Sequence, residues 1–349
     1  MERIITKRIN VGGVPMGGGA PITVQSMTNT KTADVDATVR QIRSLENVGC
    51  DIIRVAVPDK DAALAIREIK KQINLPLVAD IHFDYRLALL AVESGADKIR
   101  INPGNIGGRE RVRAVVSACK ERSIPIRIGV NSGSVSKDLI EKHGGPTAQA
   151  LVESALSHVN ILEEEDFTDI CLSLKASSVP ITIESYRLMS KMRNYPLHIG
   201  VTEAGTAFAG TIKSAIGIGA LLSEGIGDTI RVSLTDQPEE EVRVGIAILK
   251  SLQLRKGGIE VVSCPTCGRT QIDLIGLAQQ VEQAVENIDK DIKIAVMGCA
   301  VNGPGESRDA DIGITGGNGV GMLFLKGEPY KRVPYDRLLD ELLKLIESF

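Results

Sequence analysis

Short apolar runs rich in β-branched residues alternate with longer stretches of helical periodicity along most of the chain. The runs are Ile22–Ser26, Ile52–Val57, Leu77–Ile81, Lys98–Asn102, Ile126–Val130, Ile170–Lys175, Leu197–Val201 and Thr229–Ser233. Between and after them lie Ala33–Val48, Asp61–Gln72, Tyr85–Ser94, Arg109–Glu121, Gln149–Glu163, Ile181–Arg193, Thr211–Glu224 and Pro238–Leu252, whose apolar residues recur at helical spacing. Strands joined by helical crossovers form a parallel sheet, and eight such units within about 250 residues predict a closed (β/α)8 TIM barrel. An open doubly wound sheet is the alternative, but no G-x-G-x-x-G fingerprint follows the first strand.

Two segments stand outside this alternation. Met1–Ala20 reads as a preceding hairpin that turns at Gly12-Gly13, a candidate plug for the bottom of the barrel. Near Arg255-Lys256-Gly257-Gly258 the pattern breaks, and a smaller α/β unit is expected beyond. Its candidate strands are Ile259–Ser263, Ile292–Met297, Asp311–Ile314 and Gly321–Lys326, with helices over Ile272–Val285 and Tyr335–Ser348. The expected division is residues 1–254 for the barrel, including the 1–20 extension, and 255–349 for the second domain.

The barrel strands are not uniformly apolar, as strands covered on both faces usually are. Arg54 interrupts its run; Lys98, Arg100 and Asn102 alternate with Ile99 and Ile101; Arg127, Gly129 and Asn131 alternate with Ile128 and Val130. Ser173 and Lys175 flank Leu174, Arg231 and Ser233 flank Val232, and Asp80 is spaced two residues from His82. Side chains alternate with period two, so each set shares a face, and the polar room is the barrel interior. A pair such as Asp80 with Arg100 would neutralise one or two charges. The remaining bases call for an anionic ligand at the C-terminal face, and guanidinium and ammonium groups there suit a phosphate or diphosphate. Asp80, His82 and Glu203 are candidate proton handlers or hydroxyl ligands. His143, His158 and His198 are expected to be structural.

Composition adds little except glycine: 35 of 349 residues, fitting tight βα turns and backbone approach to an anion. A formal net charge of −3 gives no support to general nucleic-acid or membrane-surface binding. Met1–Lys7 has no apolar core and no run is long enough to span a bilayer, so a cytoplasmic protein is expected. In that compartment Cys50, Cys119 and Cys171 read as buried small hydrophobes rather than disulfide partners.

Cys264, Cys267 and Cys299 remain, with Glu306 beyond the turn Asn302-Gly303-Pro304-Gly305. A C-x-x-C pair alone fits a structural zinc site, but three thiols and a carboxylate are an unusual zinc set. An iron–sulfur cluster tolerates a weaker fourth ligand, and glycine N–H groups beside it can tune its potential.

These motifs resemble the 4-hydroxy-3-methylbut-2-enyl diphosphate synthase (IspG/GcpE) family of the non-mevalonate isoprenoid route. The resemblance lies in Val24-Gln25-Ser26-Met27-Thr28, Asp51–Asp59, Val78–Asp84, Arg100–Asn105, Arg127–Ser132, Ser263–Arg269, Met297–Glu306 and Ala310–Gly317. It runs nearly end to end and matches the compact two-domain bacterial form; Ser307, where a small apolar residue is expected, is a minor departure. The resemblance implies a [4Fe-4S] cluster on Cys264, Cys267, Cys299 and Glu306, and Glu306 is expected to give way to a substrate oxygen. It implies reductive ring opening and dehydroxylation of 2-C-methyl-D-erythritol 2,4-cyclodiphosphate. Arg54, Arg100, Arg127, Lys175, Arg231 and Ser233 would hold the diphosphate, with Asn102, Asn131, Asp80, His82 and Glu203 around the carbon skeleton. Flavodoxin or ferredoxin would donate electrons, and a head-to-tail homodimer would share each site between chains. Two rivals differ in the thiols: a pterin-binding synthase-like barrel leaves them unexplained, and a zinc-ribbon interaction module leaves the barrel cations unexplained.

Overall fold

The computed structural model describes residues 2–102, 104–286, 288–299, 307–317 and 319–349. The chain divides into two compact units, Met1–Arg255 and Lys256–Phe349.

The first unit opens with the hairpin β1 (Ile9–Val11) and β2 (Val14–Met16). Gly12 and Gly13 both have positive φ, the conformation that a two-residue hairpin turn matching the strand twist requires. Ile9, Val11 and Met16 pack against Ile52, Val78 and Cys171. Those three lie at the starts of barrel strands, so the hairpin closes the N-terminal end of the barrel.

Eight parallel strands follow: β3 (Thr23–Met27), β4 (Ile52–Ala56), β5 (Leu77–Asp80), β6 (Lys98–Ile101), β7 (Ile126–Asn131), β8 (Ile170–Lys175), β9 (His198–Ile199) and β10 (Thr229–Ile230). Their order in the sheet is β8-β7-β6-β5-β4-β3-β10-β9. The ring closes between β8 and β9, where the Leu172 amide donates to the Pro196 carbonyl at 2.8 Å and Leu172 bridges Leu197. Tyr186 spans the same seam: its hydroxyl donates to the His198 carbonyl at 2.6 Å and accepts from the Leu174 amide at 3.0 Å. Strands β9 and β10 are shorter than their apolar runs suggested, since the ladder ends before Gly200 and Arg231.

The helices are α1 (Val35–Asn47), α2 (Lys60–Lys70), α3 (Tyr85–Glu93), α4 (Arg109–Glu121), α5 (Lys137–His143), α6 (Ala148–Glu163), α7 (Val179–Met192), α8 (Ala207–Ser223) and α9 (Pro238–Ser251). Asp34, Asp59 and Asp84 accept backbone N–H groups at the starts of α1, α2 and α3, satisfying donors that a helix leaves free. The outward strand positions Ile53, Val55, Ala79, Ile99, Ile101, Ile128, Val130, Leu172 and Leu174 join the helices in one apolar core. The alternate positions, including the charged ones, face inward. The short helix α5 was absent from the sequence reading because seven residues carry too little periodicity to register.

The second unit is a five-stranded sheet in the order β11 (Glu260–Ser263), β12 (Lys293–Met297), β13 (Ile312–Gly317), β14 (Val320–Leu325), β15 (Glu328–Pro334). The first three strands are parallel and the last two antiparallel. Helices α10 (Leu274–Val285) and α11 (Leu338–Ser348) pack with Ile294, Val296, Ile312, Ile314 and Leu323 in a core of their own. The edge strand β15 escaped the sequence reading: two prolines and three charges leave it without an apolar run, as suits an exposed edge. No helix among the described residues is long and apolar enough to cross a membrane.

Candidate active site

The period of two places Arg54, Asp80, Arg100 and Arg127 on neighbouring strands, with Asp80 in register with Arg100 and Arg100 with Arg127. Asp80 is the hub. One carboxylate oxygen accepts from Arg100 Nη1 at 3.0 Å, and the other lies 3.6 Å from Arg54 Nη1. Burial pushes the Asp80 carboxyl up, but Arg54, Arg100, Arg127 and His82 more than reverse this and hold it at about 2. A carboxylate held so firmly ionised is a counter-ion at neutral pH, which removes the proton-donor option for Asp80.

One carboxylate does not balance the set. Arg54, Lys98, Arg100, Arg127, Lys175 and Arg231 line the interior, and Arg54, Lys98, Arg127 and Lys175 are buried. Facing them are Asp80 and Glu241, whose Oε2 lies 3.6 Å from Arg231 Nη2. Arg127 Nε and Nη1 and the Nε atoms of Arg100 and Arg231 are buried and find no acceptor among the described residues. Burial, then the neighbouring cations Arg231, Arg127 and Arg54, drives Lys175 well below the ordinary lysine range. Arg127 falls to about 10 by burial and by Arg100. Uncompensated cations converging in a dry interior are the electrostatic complement of a polyanion.

The polar neighbours divide between the interior and the rim. Asn102 is buried, and its side-chain oxygen accepts the Gly104 amide at 3.2 Å, shaping the loop after β6. Asn131 ends β7 half-buried and caps the turn Ser132–Ser134. Ser233 is half-buried beyond β10, whereas His82 and Glu203 are exposed on loops after β5 and β9. Glu203 has φ of 52°, a left-handed conformation uncommon outside glycine. His82 and Glu203 are thus rim groups open to solvent.

Glu241 and Gly200 escaped the sequence reading, whereas Gly129 was already read as an inward position. Glu241 stands third in a run of glutamates at the start of α9, a pattern that reads as a solvated helix end; it is buried and accepts the Leu234 amide at 2.9 Å. Gly129 and Gly200 occupy inward positions where space is needed. A Cβ at Gly129 would lie 2.6 Å from Arg100 Nε, and one at Gly200 would lie 2.7 Å from Lys175 Nζ. His198, expected to be structural, is fully buried at an inward position, and burial followed by Lys175, Arg127, Lys98 and Arg54 keeps it neutral.

In the second unit the parallel pair β11 and β12 brings Cys264 beside Gly298, the residue before Cys299. The Cys264 amide donates to the Val296 carbonyl, and the Gly298 amide donates to Cys264 Sγ at 3.3 Å, with Cys299 the next residue. Cys267 lies in an exposed turn closed by Thr270, whose Oγ1 accepts the Cys267 amide at 3.1 Å. The Arg269 backbone N–H and side chain, with Thr270, draw the Cys267 thiol below its ordinary value. Glu306 lies outside the described residues. Among those described, no three His, Cys, Asp or Glu side chains are close enough together to bind a metal ion. The donor chemistry nevertheless fits thiolate ligation: the Cys264, Cys267 and Cys299 thiols are free, and N–H or O–H donors already attend two of their sulfurs. Cys50, Cys119 and Cys171 are buried, and burial raises each thiol.

The chain is thus a two-unit α/β protein, a TIM-type barrel lined with cations followed by a smaller unit that bears three free thiols. The GcpE TIM-barrel domain matches residues 6–246, and the GcpE protein C-terminal domain matches residues 260–348. The chain belongs to this family. It is 63% identical over 348 residues to a 4-hydroxy-3-methylbut-2-en-1-yl diphosphate synthase (flavodoxin) of Clostridium perfringens, covering 100% of both chains. A protein of the same name from Ruminiclostridium cellulolyticum is 62% identical, with 100% of this chain and 99% of that one covered. Among solved structures, dihydropteroate synthase from Xanthomonas albilineans superposes with a TM-score of 0.50 at 13% identity. It covers 70% of this chain and 97% of its own, a likeness of fold alone.

Proposed function

We propose that the chain is a 4-hydroxy-3-methylbut-2-enyl diphosphate synthase that opens and dehydroxylates 2-C-methyl-D-erythritol 2,4-cyclodiphosphate, forming (E)-4-hydroxy-3-methylbut-2-enyl diphosphate. The observation that carries the reading is the surplus of buried cations over Asp80 and Glu241 in the barrel, on a chain that also bears three free thiols. The full-length relatives supply the particular reaction.

Arg54, Arg100, Arg127, Lys175, Arg231 and Ser233 grip the diphosphate. Asp80 keeps Arg54 and Arg100 in place while remaining ionised. Each charge-assisted hydrogen bond to the phosphates contributes on the order of 1.5–3 kcal/mol. The closed barrel wall and its hairpin plug exclude water from below, which strengthens those contacts. Asn102 and Asn131 orient the carbon skeleton and its hydroxyls. The exposed Glu203 and His82 side chains at the rim are the groups placed to supply a proton to the oxygen that leaves as water. Cys264, Cys267, Cys299 and Glu306 would hold a [4Fe-4S] cluster, which when bound supplies the two electrons of the reduction. Flavodoxin, named in the relatives, or ferredoxin reduces it, and a head-to-tail homodimer shares each site between two chains.

The test is anaerobic. Purified protein should contain iron and sulfide and convert the cyclodiphosphate with reduced flavodoxin. Mixing a Cys299→Ser chain with an Arg127→Ala chain should restore part of the activity. Zinc without iron would overturn the reading, and no recovery despite proven subunit exchange would confine the site to one chain.

A further inference from the structure

Below the cations that face the ligand lies a second polar layer. Lys98 stands two residues before Arg100 on β6, on the same inward side, and is fully buried. Its ammonium has no hydrogen-bond partner among the described residues. The groups acting on it are Arg127 from β7, Arg54 from β4 and the Cys171 thiol from β8. His198 on β9 is buried at the same depth and feels Lys98 in turn. Gln25 on β3 and Thr229 on β10 are inward, buried and uncharged. From underneath, the hairpin offers only Ile9, Val11 and Met16, and Asp228 is turned to Arg3 and Thr6. Two guanidiniums therefore repel Lys98, and no described carboxylate pairs with it.

We propose that Lys98 is a positioning residue for the anion site, taking up a proton as a diphosphate settles on the cations above it. The inference rests on the diphosphate reading given above. A buried ammonium among like charges gives up its proton readily, and a polyanion nearby reverses that preference. In the free protein burial, then repulsion from Arg127 and Arg54 set against the pull of Cys171, brings Lys98 from 10.5 to about 8. Lys98 is then about half charged at pH 8, and binding draws in up to about half a proton there. Guanidiniums remain charged at this pH, so the lysines absorb the relief. Burial, then crowding by Arg231, Arg127 and Arg54 against the pull of Glu241, holds Lys175 below the ordinary lysine range as well. The device lets the free barrel hold its cations without full mutual repulsion and restores the charge when a ligand needs it.

The experiment is calorimetric titration of anaerobic holoenzyme with inorganic diphosphate at pH 8, in buffers that differ in ionisation enthalpy. Wild type is compared with Lys98→Met and Lys98→Arg, neither of which titrates there. The probe's own protonation and the share of Lys175 are common to all three proteins, so the difference belongs to Lys98. Wild type should take up about half a proton more than either variant. Lys98→Met should bind on the order of fivefold more weakly, and its affinity should fall less between pH 7 and 9. Should Lys98→Met not fold, Lys98→Arg reads the same difference. Equal uptake in wild type and a folded variant overturns the proposal. Failure of wild type to bind the probe overturns the diphosphate reading instead.

Discussion

If Asp80 is the counter-ion of the barrel cations, Asp80→Asn should weaken the fold while sparing anion binding. The substitution keeps the shape and one acceptor oxygen but removes the charge that Arg54 and Arg100 share at 3.6 and 3.0 Å. The magnitude follows from the carboxyl's titration. Its value of about 2 in the fold, against 3.8 ordinarily, corresponds to about 2 kcal/mol of stability at pH 7. Because the folded value is the lower one, this stability is fully present above pH 3.8 and is lost as pH falls towards 2. For a barrel of this size the loss should lower the melting temperature by about 4–8 °C. Scanning calorimetry of wild type and variant between pH 4 and 8 measures it, with a gap that stays nearly constant across that range.

Diphosphate then separates stability from ligand contact. At a hundredfold excess over Kd, ligand adds about 2.7 kcal/mol to either protein. The variant should bind within a few-fold of wild type, since the retained amide oxygen can still hold Arg100 while a repelling carboxylate has gone. Equal melting at pH 7 without ligand would refute the counter-ion argument. A variant that melts lower and has also lost diphosphate would make Asp80 a ligand contact.

Gly129→Ala places a Cβ 2.6 Å from Arg100 Nε, so the guanidinium must leave the Gly129 carbonyl it donates to at 3.3 Å. Diphosphate Kd should rise roughly tenfold or more with little change in melting temperature; an unchanged Kd means that Arg100 can shift without cost. Tyr186→Phe removes the donor to the His198 carbonyl and leaves the buried Leu174 amide without its acceptor, a loss of about 2–3 kcal/mol that scanning calorimetry reads at the barrel transition. Thr270→Val removes the acceptor of the Cys267 amide, so iron should be stripped faster by a chelator, while Thr270→Ser should retain it; equal retention in the valine variant would leave Thr270 without a role in holding that turn.

The barrel was legible because its outward strand positions are uniformly apolar while basic residues interrupt the inward ones, and both patterns are local. How those charges are balanced was not. Asp80 was visible as a partner for Arg100, but its second contact with Arg54 depends on the register of β4 with β5. Glu241 reaches Arg231 from a helix whose first turn looks fully solvated. The C-x-x-C spacing flagged the thiols, yet the adjacency of Cys264 and Gly298 depends on pairing across 34 residues.

Two inward glycines follow the same rule: Gly129, which the sequence reading placed there, and Gly200, which it missed. Counting by two from Arg127 reaches Gly129, and counting by two from His198 reaches Gly200. An inward glycine on one strand clears space for a long inward cation on its neighbour, as with Gly129 for Arg100 and Gly200 for Lys175. A charge that breaks an apolar strand marks where a site is, and a glycine in phase on the next strand marks which way that side chain leans. Applied to β6, the rule also marks Lys98: among the described residues no glycine opens a path for it towards the mouth and no hydrogen-bond partner meets it below Arg100.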